Sequence, residues 1–188
     1  MIENAAKNIG LPLGPLALTD ETSLSLGHML MVSTKKEMGD DYQPTGNEDF
    51  LEKMVVELGC QGRKSGGGFY EYPEGGKKHL WPGLADHYPI SDNQPSAAEA
   101  EERLMYAQLV PAAHCFADDI VHDPQSADLG AIFGWGFPPY TGGPMSHIDT
   151  IGVDQFVQTA DSLAQRHGER FHPPAKFKDM AASGKTLY

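Results

Sequence analysis

Gly62-Arg63-Lys64-Ser65-Gly66-Gly67-Gly68 is the stretch whose residue types look most like a site. Glycines expose backbone N–H groups, and Arg63 and Lys64 add two cations, which is the composition of a phosphate cradle. A P-loop requires a lysine directly after its closing glycine and then a helix, and that order is absent. Here the glycines lead into Phe69-Tyr70-Glu71-Tyr72, an aromatic and strand-like end. Two readings stay open. The segment is a turn that delivers Phe69 and Tyr70 to the core, or it contacts an anion through Arg63 or Lys64.

Other reactive groupings are sparse. The eight histidines form no HxxxH or HExxH, and His114 and His122 lie eight apart. Surface or capping positions explain them better than ligation. His147 differs only in lying inside a Gly/Pro motif. No GxSxG occurs, so there is no nucleophile elbow. Gly134-Trp135-Gly136 lacks a third glycine and runs into Pro138-Pro139, unlike a dinucleotide loop. Cys60 and Cys115 make neither a CxxC nor a metal spacing, which favours burial or a reducing compartment. The expected catalytic, cofactor-binding and metal-ligating sets within this sequence are therefore all none.

The elements that would position any site are organised by a repeat. Gly10-x-Pro12, Gly14-Pro15, four residues, then Asp20 returns as Gly136-x-Pro138, Gly143-Pro144, four residues, then Asp149, with three extra residues before the second Gly-Pro. Leu24 and Val153 follow each aspartate by four. Leu51-x-x-Met54, Gly59 and Phe69-Tyr70 then match Phe177-x-x-Met180, Gly184 and Leu187-Tyr188. A self-match this long marks a duplication, with a first repeat over 1–90 and a second over 91–188.

Apolar periodicity predicts helices over 2–9, 21–38, from Asn47 to Gly59, 97–121, 153–167 and 174–182. Asp20 and Asp149 stand where each would act as a structural cap. Ser96 and Glu99 make a capping box for the longest helix, which Pro111 should bend. Residues 73–96 hold four prolines and read as a surface excursion pinned by Trp81 and Tyr88. No run alternates long enough for a sheet, so the expected class is all-α. The second Gly/Pro motif is preceded by a long helix and the first is not. A lost leading helix would leave an apolar interface in the first repeat. Rigid Gly/Pro turns with exposed backbone could wall a cleft or let helices cross closely.

The net charge of −12 argues against nucleic acid and anionic membranes as partners. No apolar run reaches membrane-spanning length. The chain is expected to be cytoplasmic, with an organelle as the alternative.

Gly10–Asp20, Gly62–Tyr72 and Gly136–Asp149, in that order, resemble the C-terminal region of the 3-hydroxyacyl-CoA dehydrogenases over nearly the whole sequence. Asp20-Glu21-Thr22-Ser23-Leu24-Ser25-Leu26 is most similar to the multifunctional form. The resemblance implies two helical repeats of the 6-phosphogluconate dehydrogenase C-terminal-like type, the first lacking its leading helix. It implies a parent enzyme of fatty acid β-oxidation that oxidises (3S)-3-hydroxyacyl-CoA with NAD. The implied partners are acyl-CoA, a Rossmann domain, an enoyl-CoA hydratase domain and a second copy. The family's catalytic His–Glu pair belongs to the Rossmann part, so this region alone should bind no NAD and turn nothing over. Carried over by position, Pro12, Leu13, Gly14, Pro15 and Leu18 would wall the substrate cleft, and Arg63 and Lys64 would lie near CoA phosphates. Pro111 departs from the family, which more usually has an acidic residue there. The alternative is a free-standing helical interaction module with no catalytic role.

Overall fold

A computed structural model describes residues 1–188. Ten α-helices dominate: α1 Ile2–Asn8, α2 Pro15–Thr22, α3 Leu24–Met38, α4 Glu48–Glu52, α5 Gly83–His87, α6 Ala97–Ala117, α7 Pro124–Trp135, α8 Pro144–Ile151, α9 Val153–His167 and α10 Ala175–Ser183. The only sheet is two antiparallel strands, β1 Tyr70–Glu71 and β2 His79–Leu80, with Tyr70 opposite Leu80. The chain forms two compact units: Leu13–Gln94, and Met1–Pro12 together with Pro95–Tyr188. Helix α1 thus sits in the second unit rather than with the rest of the first repeat. The reason is burial: Ala5, Ala6 and Ile9 lose their solvent there, and Asn8 bonds Glu101 on α6.

Both repeats run a short helix into a long one through a single residue. Helices α2 and α8 are each 8 residues, and α3 and α9 are each 15. Gly14-Pro15 and Gly143-Pro144 start the short helices. Proline suits the first helical position, where its missing N–H has no partner to lose. Ser23 at φ 81 and Gly152 at φ 93 make the break. Helix α4 continues as a π turn, Lys53–Glu57, and Gly59 then turns left-handed at φ 68, as Gly184 does at φ 65 after α10.

The sequence expectations need several corrections. The helix foreseen over 21–38 is two, because α2 already covers Asp20. The 97–121 helix stops at Ala117 and runs unbroken through Pro111. Its foreseen start holds: Ser96 accepts the Glu99 amide. Helix α7 was not foreseen. Asp123 caps it through the Ser126 amide and Pro124 opens it. The 73–96 stretch contains β2 and α5, and Trp81 and Tyr88 pack on the core of the first unit.

That core is Leu24, Met54, Val55, Cys60 and Phe69, with Phe50 stacked on Phe69 at 5.6 Å. The larger core of the second unit centres on α6, α8 and α9. Phe156 stacks on Tyr106 and meets Phe177 edge-on. The two long helices differ. Helix α9 buries Val153, Phe156, Ala160, Leu163 and Ala164, whereas α3 buries only Leu24 and exposes Leu26, Met29, Leu30 and Val32.

Candidate functional site

Asp20 is 1% exposed and lies in the last turn of α2. Its Oδ1 accepts the Phe69 amide at 2.8 Å, and its Oδ2 accepts the Tyr70 amide and the Tyr72 hydroxyl, each at 2.9 Å. Three donors from one segment satisfy a carboxylate that burial would otherwise penalise. Burial and the bond to Asp20 push the Tyr72 phenol well up. In the second unit Asp149 accepts the Leu187 and Tyr188 amides at 2.9–3.0 Å. The cap reading of Asp20 and Asp149 is therefore wrong. Ser23 and Gly152 precede the long helices, and each aspartate instead clamps a segment that follows much later.

The glycine run is explained by this clamp. A Cβ on Gly68 would lie 2.1 Å from Asp20 Oδ1, and one on Gly62 would lie 2.9 Å from the Asp20 carbonyl oxygen. Gly62 also donates its amide to the Gly67 carbonyl at 2.8 Å. So Gly62–Gly68 delivers Phe69 and Tyr70 to the core. Arg63 pairs with Glu21 of α2 and lies 5.6 Å from the Tyr72 ring centroid, while Lys64 stands exposed. A cavity of about 400 Å³ opens beside the loop, between Gly66–Gly68, Tyr72 and Trp81. Cys60 also lines it. Burial, with the charges of Asp20 and Glu71, pushes its thiol up and leaves it a poor nucleophile.

Leu13 and Leu18 are exposed, Pro15 is half-buried and Gly14 is buried. Arg63 pairs with Glu21, which follows Leu18 by three residues on α2. Pro12 is exposed as well, and its ring lies beside Gly136: a Cβ there would come within 3.2 Å of it, and one on Gly10 within 2.8 Å of Tyr140. The starts of the two Gly/Pro stretches thus meet each other in the second unit.

Asp128 is the residue that sequence reading missed. It is 4% exposed on α7 and accepts the Met145 and Ser146 amides, the Ser146 hydroxyl and the Tyr188 hydroxyl. It caps α8 from a neighbouring helix. A Cβ on Gly143 would overlap it at 2.4 Å, and glycine there was the available signal. Burial lowers the pKa of His147, keeping it neutral rather than poised as an acid.

No group of three or more His, Cys, Asp or Glu is placed to hold a metal ion. Nor do the residues present fit a dinucleotide. Gly134 and Gly136 lie at the C-terminal end of α7, away from any strand–turn–helix, and the two strands are two residues each.

Each of the two helical units thus holds a Gly-Pro helix and an aspartate clamp, and comparison shows what the chain is similar to. Residues 1–72 match the family model "3-hydroxyacyl-CoA dehydrogenase, C-terminal domain". In fold the chain is similar to 3-hydroxybutyryl-CoA dehydrogenase from Escherichia coli K12 (TM-score 0.63, 16% identity, covering 97% of this chain and 54% of that one). It is likewise similar to the dehydrogenase part of multifunctional enzyme 1 from C. elegans (TM-score 0.63, 21% identity, 95% and 41%). Over its first 72 residues the chain is thus similar to the C-terminal domain of the 3-hydroxyacyl-CoA dehydrogenases, and its helical fold is similar to that of two such enzymes. Among curated proteins it is 34% identical over its whole length to fatty acid oxidation complex subunit alpha from Shewanella halifaxensis, and 34% to that from Shewanella amazonensis. It spans 26% of the length of these relatives. No helix is long and apolar enough to cross a membrane.

Proposed function

We propose that this chain is the C-terminal region of an NAD-dependent (3S)-3-hydroxyacyl-CoA dehydrogenase acting in fatty acid β-oxidation in the cytoplasm. The observation that carries the reading is the end-to-end match to the alpha subunits, 34% identical across 100% of this chain. In this reading the chain supplies a wall of the acyl-CoA cleft and surfaces for Rossmann and hydratase domains. Nicotinamide and the catalytic base come from elsewhere in the enzyme. The exposed Leu13 and Leu18, with Arg63 tethered beside them, support the cleft-wall role. Arg63 and Lys64 are the cations proposed for the CoA phosphates.

Packing against partner domains, or against a second copy, has its own support. Counting back from Gly10 and Gly136, Ile9, directly after α1, and Trp135, the last residue of α7, hold the same place in the repeat. Ile9 is 9% exposed beneath α6, while Trp135 is 54% exposed. The same uncovered surface favours the second reading, a helical interaction module without a catalytic role. A turnover assay separates the two from an active enzyme. The isolated chain, given NADH and acetoacetyl-CoA, is expected to oxidise no NADH; measurable oxidation would overturn the assignment of the chemistry to other domains.

A further inference from the structure

Of the four arginines in a chain with 26 acidic residues, two pair with a carboxylate and two do not. Arg63 pairs with Glu21, and Arg166 with Glu99 and Glu102. Arg103 on α6 and Arg170, in the turn after α9, pair with no carboxylate. The acids beside them are committed elsewhere. Glu99 and Glu102 face Arg166, Glu101 accepts from Asn8, and Glu169 lies 3.2 Å from His172.

Both arginines line one cavity of about 450 Å³ in the second unit, between the start of α1, helix α6 and Phe171. Its other lining includes Leu104, Ala107 and Pro111, and no carboxylate lines it. The Arg170 guanidinium lies 5.1 Å from the centroid of the Phe171 ring, which also lines the cavity. The volume falls within the usual small-molecule range of about 300–1,000 Å³. Apolar walls with two cations at the edge suit a ligand that is apolar along its length and anionic at one end.

We propose that this cavity binds a single-chain amphiphile with one carboxylate head, of the medium-chain fatty acid class. The chain lies against Leu104, Ala107, Pro111 and Phe171, and the carboxylate bridges Arg103 and Arg170. Its lining shares no residue with the Leu13–Leu18 stretch, and the proposal does not depend on the dehydrogenase reading.

The test is calorimetric titration of the full chain with decanoate below its aggregation concentration, with decanol and decyl phosphate in parallel. Decanoate should bind at least tenfold more tightly than decanol. R103Q/R170Q should lose at least tenfold in decanoate affinity while keeping its thermal midpoint. L104W, which fills the cavity and leaves both charges, should lose binding too. Equal affinity for decanoate and decanol, undiminished binding by either variant, or decyl phosphate binding tenfold more tightly than decanoate would overturn the proposal.

Discussion

Asp20 and Asp149 occupy one position twice: each ends a Gly-Pro helix and takes the amides of an aliphatic or aromatic residue and the tyrosine after it. The pairs are Phe69-Tyr70 for Asp20 and Leu187-Tyr188 for Asp149. The two clamps differ in depth. Asp20 is fully buried and also holds Tyr72, whereas Asp149 is half-buried and leaves the phenol of Tyr188 to Asp128. Removing a buried acceptor strands its donors, at about 1–3 kcal/mol for each group left unsatisfied. Asp20→Ala should therefore cost about 3–5 kcal/mol and Asp149→Ala about half that. Urea unfolding of both variants checks the ranking, and an equal loss would contradict it.

Ser23 holds a backbone conformation that its counterpart meets with glycine. At φ 81 a Cβ is strained, at about 1–2 kcal/mol. The Ser23 hydroxyl partly offsets this by donating to the Gln61 carbonyl at 2.8 Å. Ser23→Gly should be neutral to stabilising, by up to about 1 kcal/mol. Gly152→Ala should destabilise, since its Cβ would lie 2.8 Å from Asp154 Oδ1 as well as carrying φ 93. Thermal melts of the two variants should move in opposite directions or show a loss for Gly152→Ala alone.

Glu48 anchors the entry to α4. Tyr42 Oη and the Thr45 and Gly46 amides all donate to it, and the Tyr42 hydroxyl foremost, then the Thr45 amide, lower its pKa to about 2. A carboxylate with a depressed folded pKa stabilises above its unfolded value and ceases to as pH falls through the folded one. Residues 42–48 should thus stay ordered at pH 5 and loosen as pH drops from about 4 towards 2. Amide shifts of Thr45 and Gly46 report it. In Glu48→Gln the same shifts should no longer titrate over that window.

Helix α3 presents Leu26, Met29, Leu30 and Val32 to solvent with one buried residue beneath. Contiguous apolar surface of this kind marks interfaces. Sedimentation of the chain should show mass rising with concentration, and Met29→Glu with Leu30→Glu should hold it monomeric at the same concentrations. A wild-type mass that stays flat would remove α3 as a self-association surface.

Much of this was legible because it is local. The 3.6-residue spacing of Val153, Phe156, Ala160 and Leu163 and the Gly168 stop define α9, and Ser96 with Glu99 fixes the start of α6. The misreadings share one cause, a partner far along the chain. Asp20 followed by Glu21 has the local pattern of a cap, and nothing nearby announces amides 49 and 50 residues on. Ser23 breaks two helices with no glycine or proline to signal it, whereas Gly152 marks the same break openly. Helix α7 is apolar without a clean face, with Leu129, Phe133 and Trp135 all exposed, so periodicity could not find it. Arg103 and Arg170 are 67 residues apart in sequence, and only the packing of α6 against Phe171 brings them to one cavity.

A chimaera tests the functional account most directly. This chain would replace the segment of the Shewanella halifaxensis alpha subunit that it matches, 26% of that protein, and NADH oxidation with acetoacetyl-CoA would be measured. Activity within about tenfold of the parent, lost when the segment is deleted, is the expected result. A folded chimaera with no more activity than the deletion would contradict it.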